Sequence, residues 1–252
     1  MHGKRPQARN ISQEAVFCLV LIWTLFGYTP AQAYEVVTGF VGGSIAGNIR
    51  LGDAIPRVKR YRISKDHDVC GAGTRDVSIV HANADALIDT VVYIEDIERG
   101  KAFLAAAKKV TINQLGCRFT PHLAVLANGG VMEVVNSDNV LHNIHAYEQG
   151  GSINRSILNA SQPKRGNILT KTIDMNFGNA VRLLCDAHDF MRGYIFVASN
   201  PYYAVVDEQG HYTLKNVPPG TYRIKVWHAA LGERSRTVTV RANQETSANF
   251  SF

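Results

Sequence analysis

From residue 34 onward the chain is a succession of short β-branched or alternating runs parted by Gly, Pro, Asn and Asp. That pattern constrains its fold more than any other feature. The runs fall at 36–40, 77–80, 90–94, 131–135, 181–184, 194–197, 222–227 and 237–241. A single segment, 98–109 with Ala102, Ala105, Ala106 and Ala107, predicts a short helix. Strands of this length between turns predict an all-β chain of sandwiches or barrels.

The first 33 residues read differently. Lys4, Arg5 and Arg9 precede an almost uncharged apolar run over 15–28, and Ala31-Gln32-Ala33 offers an A-x-A cleavage site. This layout predicts a secretory signal peptide cleaved after Ala33. An uncleaved anchor is the alternative, but the run is shorter than the roughly 18–20 apolar residues that span a bilayer. No transmembrane segment is expected after cleavage. Cys18 lies inside the run without a small-residue lipidation motif around it. The expected location is therefore secreted, with the periplasm first.

Cleavage leaves 24 basic and 20 acidic side chains, a net charge of +4. No basic run with interleaved aromatics occurs, so nucleic acid is not implied. Three cysteines stay in the exported chain: Cys70, Cys117 and Cys185. An odd count in an oxidising compartment leaves one thiol free, on another chain or on a metal. Cys70 and Cys117 both sit in turn-like sequence without nearby ligand partners. The economical reading pairs them and leaves Cys185 for chemistry.

Three textures follow the leader. Residues 34–104 open with G-G-S-I-A-G-N-I, residues 105–199 hold Cys185 and most clustered histidines, and residues 200–252 read as hairpins. Within the middle region C-D-A-H-D-F-M sets Cys185, His188 and Met191 at three-residue intervals. A blue-copper site asks for one thiolate and two imidazoles near a plane, with a weak thioether above it. The second imidazole must come from a distant strand, and N-S-D-N-V-L-H-N-I-H offers His142 and His145. Residues three apart on a strand face opposite ways, so one of the two faces the cysteine. Zinc is the alternative metal, with Met191 a bystander. His122, in F-T-P-H, reads as a loop histidine or a neighbour that tunes the site.

The stretch F-T-P-H-L-A-V-L-A-N-G-G-V-M-E-V-V-N-S-D-N-V-L-H-N, followed by C-D-A-H-D-F-M-R-G-Y-I-F-V, resembles cupredoxins of the plastocyanin and pseudoazurin kind over residues 108–199. The resemblance implies a Greek-key β-sandwich holding one type 1 copper per chain on His142, Cys185, His188 and Met191. It also implies that Asn143 stiffens the cysteine loop and that His188 is the exposed edge through which electrons pass. Two residues between His188 and Met191 are fewer than plastocyanin-like proteins usually have. The tight spacing is similar to that of a binuclear copper centre, which needs a second cysteine where this chain has Val181. The axial role of Met191 is thus the loosest part of the ligand set.

The tail D-E-Q-G-H-Y-T-L-K-N-V-P-P-G-T-Y-R-I-K-V looks like the second half of a carboxypeptidase regulatory-like, or transthyretin-like, sandwich. Its first half is matched by G-x-I-x-G at 43–47 and V-V-Y-I at 91–94. Residues 34–104 and 200–252 are then expected to form one smaller sandwich split around the middle domain. A serial arrangement is the alternative.

Together these readings predict an exported one-electron carrier that exchanges electrons with a redox protein such as a cytochrome or an oxidoreductase. The alternatives are copper binding or sequestration without electron transfer, and an envelope-structural β-protein. Sequestration ranks second because only Met132, Met175 and Met191 follow the leader, without Met-rich or His-rich runs. An enzyme is not expected: H-x-H pairs, G-x-S-x-G, H-E-x-x-H and a P-loop are all missing.

Overall fold

The computed structural model describes residues 2–3, 34–53 and 55–252, and in them side-chain alternation builds a first sandwich. The basic and apolar leader, Cys18 and the A-x-A site lie outside the described residues. Val131–Asn136 buries every second residue, Met132, Val134 and Asn136, and His142–Gly150 buries His142, Ile144, Ala146 and Glu148. This is the two-residue period of a strand with one face on a core. One sheet runs Leu123–Ala127, Arg192–Ala198, Ala180–Leu184, His142–Gly150, Ile153–Gln162. The other runs Phe119–Thr120, Lys109–Gln114, Val131–Asn136, Ile168–Thr172. Ile112, Leu126, Met132, Ile144, Val181 and Ile195 fill the space between them.

The segments on either side of this sandwich are hydrogen-bonded to each other. Gly43–Arg50 pairs antiparallel with His211–Val217, with Ile45 opposite Leu214. Thr90–Ile94 lies between Tyr203–Val205 and Gly220–His228, so Val92 faces Ala204 on one side and Val226 on the other. Ile45, Ile49, Leu87, Ile94, Ile224 and Val226 form the core of this second sandwich. A smaller cluster of Val91, Tyr93, Leu123, Phe196 and Trp227 joins the two. The hairpin Arg57–Arg62 and Thr74–Val80 belongs by sequence to the N-terminal segment, yet packs Tyr61 and Ile63 into the first sandwich's core. The protein is thus all-β, and among the described residues no helix is long and apolar enough to cross a membrane.

The helix expected over 98–109 does not form. Arg99–Gly100 instead pairs in parallel with Glu35–Val36, and of the expected 36–40 run only Val36 lies in a strand. Gly100 is pressed against Tyr202, where a Cβ would come within 2.1 Å of the hydroxyl oxygen. Leu104 is 79% exposed, so the alanines have no apolar stripe to bury, and only one 3₁₀ turn, Ala105–Lys108, survives. An isolated helix this short is unfavourable without such burial.

Glu148 closes the inner face of the His142–Gly150 strand. Its buried carboxylate accepts the amides of Asn176 and Phe177 at 2.5 and 2.6 Å and a two-nitrogen contact from Arg155. Burial pushes its pKa up, but these donors outweigh that and hold it below the ordinary value. A depressed carboxylate stabilises above its unfolded pKa, about 4.3, and loses that contribution as the pH falls below it. Glu148→Gln is expected to cost about 2 kcal/mol at pH 7. Urea unfolding at pH 7 and pH 3 checks this: the gap between the two proteins should shrink at the lower pH.

Candidate metal centre

The loop 185–191 joins Ala180–Leu184 to Arg192–Ala198, which pair antiparallel. Two successive turns shape it: the His188 amide donates to the Cys185 carbonyl at 3.2 Å, and the Met191 amide to the His188 carbonyl at 3.0 Å. Turns closed every three residues bring side chains at i and i+3 to the same side. Cys185 Sγ accordingly lies 3.8 Å from His188 Nδ1. His142 begins the neighbouring strand at an inward position, with its Nδ1 4.0 Å from Cys185 Sγ and 3.2 Å from His188 Nδ1. All three side chains are buried, at 0–3% exposure.

The donors fit a metal ion. Separations of 3.2, 3.8 and 4.0 Å enclose a point about 2.1 Å from all three atoms, within the ~2.0–2.3 Å of bonds from a zinc-sized ion to imidazole nitrogen and thiolate sulfur. The protons are arranged to match. His142 Nε2 donates to Asp138 Oδ2 at 2.8 Å, and His188 Nε2 donates to Asp66 Oδ2 at 2.9 Å. A carboxylate on each Nε2 fixes the tautomer and turns the Nδ1 lone pair inward. Two lone pairs 3.2 Å apart repel unless a cation lies between them. A proton is a poor candidate for it, because burial and the neighbouring His142 lower the His188 pKa against the pull of Asp66. Burial likewise pushes the Cys185 thiol up, offset in part by the amides of Asn143, Ala187 and His188. Metal binding would supply the missing positive charge for all three groups.

The surrounding side chains sort by what they touch. The Asn143 amide donates to Cys185 Sγ at 3.3 Å, and its side chain accepts from the Asp186 amide and donates to Asn159. Met191 ends the loop, 1% exposed, in the same core cluster as Cys185 and Phe190. His145 points the other way, bonded to Asp186 and Ser156 and stacked on Tyr147. His122 bonds Asp89 at 2.8 Å, away from the donors.

Cys70 and Cys117 form a disulfide with a Cα–Cα distance of 5.2 Å. Both sulfurs lie within 4.8 Å of a His188 ring nitrogen, so the bridge borders the centre, and among the described residues Cys185 is the free thiol.

One expectation is corrected. His188 is no exposed edge: it is 2% exposed and covered by Asp66 from the hairpin that the disulfide ties down. Asp66 and Asp138 are the residues that sequence reasoning missed. Asp138 lies four residues before His142, near enough to have been noticed, whereas nothing links Asp66 to a ring 122 residues away.

Comparison with known proteins gives two likenesses. Residues 195–252 match the family model of the carboxypeptidase regulatory-like domain. Solved structures similar to the chain include a Cu-containing nitrite reductase from Thermus scotoductus, at 20% identity and a TM-score of 0.30. That match covers 36% of this chain and 22% of the reductase, so the chain spans under a quarter of the reductase's length. A purple cupredoxin from Nitrosopumilus maritimus matches at 15% identity and a TM-score of 0.31, over 35% of this chain and 99% of that one. A reduced amicyanin variant matches at 18% identity and a TM-score of 0.31, over 38% and 90% of the two chains. No curated protein was found to match.

Proposed function

We propose that the protein is an exported mononuclear type 1 copper protein that acts as a one-electron carrier. The observation that carries this reading is the buried His142–Cys185–His188 triangle, with each imidazole oriented by its own carboxylate. When bound there, copper supplies a Cu(I)/Cu(II) couple. The chain's part is to hold one thiolate and two nitrogens in place through both oxidation states. Asn143 steadies the sulfur, Asp138 and Asp66 fix the rings, and burial excludes water. Met191 would be the fourth ligand in this reading, through its thioether sulfur. The disulfide suits an oxidising compartment, with the periplasm first. The electron partner is a redox protein such as a cytochrome or an oxidoreductase. The flanking strands form one regulatory-like sandwich, split around residues 105–199, that serves as a binding or spacer module. No residue is assigned a catalytic role.

The covering of His188 favours a second reading, in which the chain holds copper without passing electrons on. Visible absorption and EPR after one equivalent of Cu(II) test both. A strong thiolate-to-copper band, lost in Cys185→Ser and kept in His145→Ala, is the expected result. Weak absorption, with copper stripped by a mild chelator, would overturn the copper reading. A strong band together with negligible electron exchange with small oxidants would leave sequestration in front.

A further inference from the structure

A second feature owes nothing to the copper reading. A cavity of about 310 Å³ opens against the Phe190–Met191–Arg192 segment and is lined by Arg75, Arg118, Arg192, His81 and His122. Phe119 and Phe190 give it apolar walls. Its one acidic lining residue, Asp76, is already engaged by Arg60 through two nitrogens at 2.6 and 2.7 Å.

The arginines lack such a carboxylate partner. Among the described residues, no salt bridge joins Arg75, Arg118 or Arg192 to a carboxylate. Arg75 is committed to the carbonyls of Cys70, Gly116 and Cys117 and lies over the Phe190 ring; burial and then the Arg118 charge lower its pKa, against a partial upward pull from Asp138. The Arg192 guanidinium donates to the Tyr61 hydroxyl, but its Nε–H is shut off from solvent and has no acceptor. His81 and His122 each present Nδ1 to Asp89, which orients both rings at the cavity's edge.

We infer that this cavity binds a small anion with a planar or tetrahedral oxygen face, an oxyanion or a carboxylate, between Arg118 and Arg192 and against the wall of the 185–191 loop. Charge-assisted hydrogen bonds from guanidinium groups are the stronger kind and suit that chemistry. The volume holds about ten waters' worth of liquid, which matches a small molecule better than a protein surface.

Calorimetric titration of the metal-free full chain with sodium sulfate and with sodium acetate, at fixed ionic strength in chloride, tests the inference. Saturable one-to-one binding of at least one of the two is expected, weakened about tenfold or more in Arg118→Glu. Arg118 is exposed and its side chain bonds nothing described, so that variant should fold. Arg192→Gln should weaken binding too. Lys171→Glu, an equal change of charge on an exposed strand position, should leave it unchanged. Absence of saturable binding of both anions overturns the inference, as does equal weakening by Lys171→Glu and Arg118→Glu. Because the protein is titrated without metal, neither outcome depends on whether copper binds.

Discussion

Replacing both Cys70 and Cys117 by alanine is expected to lower the unfolding free energy by about 4 kcal/mol, the chain-entropy value for a loop closed across 47 residues. The figure applies because little else fastens the hairpin it anchors. Arg57–Arg62 is largely exposed, and the buried apolar anchors of the hairpin are few: Tyr61 and Ile63 beside Cys70, and Val80 at its far end. Arg75 adds hydrogen bonds to the carbonyls of Gly116, Cys117 and Cys70, but those carbonyls are themselves held in place by the bridge. Loss of the bridge should therefore free the hairpin and take Asp66 away from His188. Two readouts separate the effects. Urea unfolding gives the stability loss, and the rate of copper removal by a chelator reports whether His188 has been uncovered. A stability loss below about 1 kcal/mol would mean that packing, and not the crosslink, holds the hairpin.

Much of this architecture was legible because its causes are local. V-M-E-V-V-N is rich in β-branched residues, and it folds as a strand with one face on the core. The C-x-x-H spacing matches the three-residue period of the two turns that bring Cys185 and His188 together. The same strand parity that sends His142 inward sends His145 out to Asp186. G-x-I-x-G and V-V-Y-I stood out as strands, and both pair with strands of the tail. What the sequence concealed depends on tertiary placement. The alanine run at 105–107 has good helix propensity, but it buries only Ala107 and leaves Leu104 exposed, too little to hold a helix. The exposure of His188 was expected from a sandwich standing alone. It was reversed by a hairpin from a segment that pattern reasoning had assigned to the other sandwich.

Asp138→Ala should be the most damaging single change near the centre, and Asp66→Gly a mild one, although each carboxylate serves a histidine in the same way. The difference lies in burial and in the number of donors left behind. Asp138 is 5% exposed and accepts three N–H groups at 2.8 Å, from Gly116, Cys117 and His142. Removing it strands the Cys117 and His142 donors in the interior and leaves the half-buried Gly116 amide without its acceptor, and at about 1–3 kcal/mol for each unpaired buried donor the expected loss is about 3 kcal/mol. The Asp66 side chain is 32% exposed and accepts one bond from His188, so water can take its place and the loss should stay below about 1 kcal/mol. Glycine suits the backbone there, since Asp66 has φ 54°. Copper affinity should follow the same order. Loss of a carboxylate behind a ligating histidine typically costs about 10–100-fold, with Asp138→Ala at the upper end because no solvent reaches His142 to replace it. Urea midpoints and competition with a chelator of known affinity measure the two effects separately. If Asp66→Gly weakened copper more than Asp138→Ala, the hairpin cap would outrank the sandwich interior in holding the metal. The centre would then be built chiefly by the hairpin that covers it.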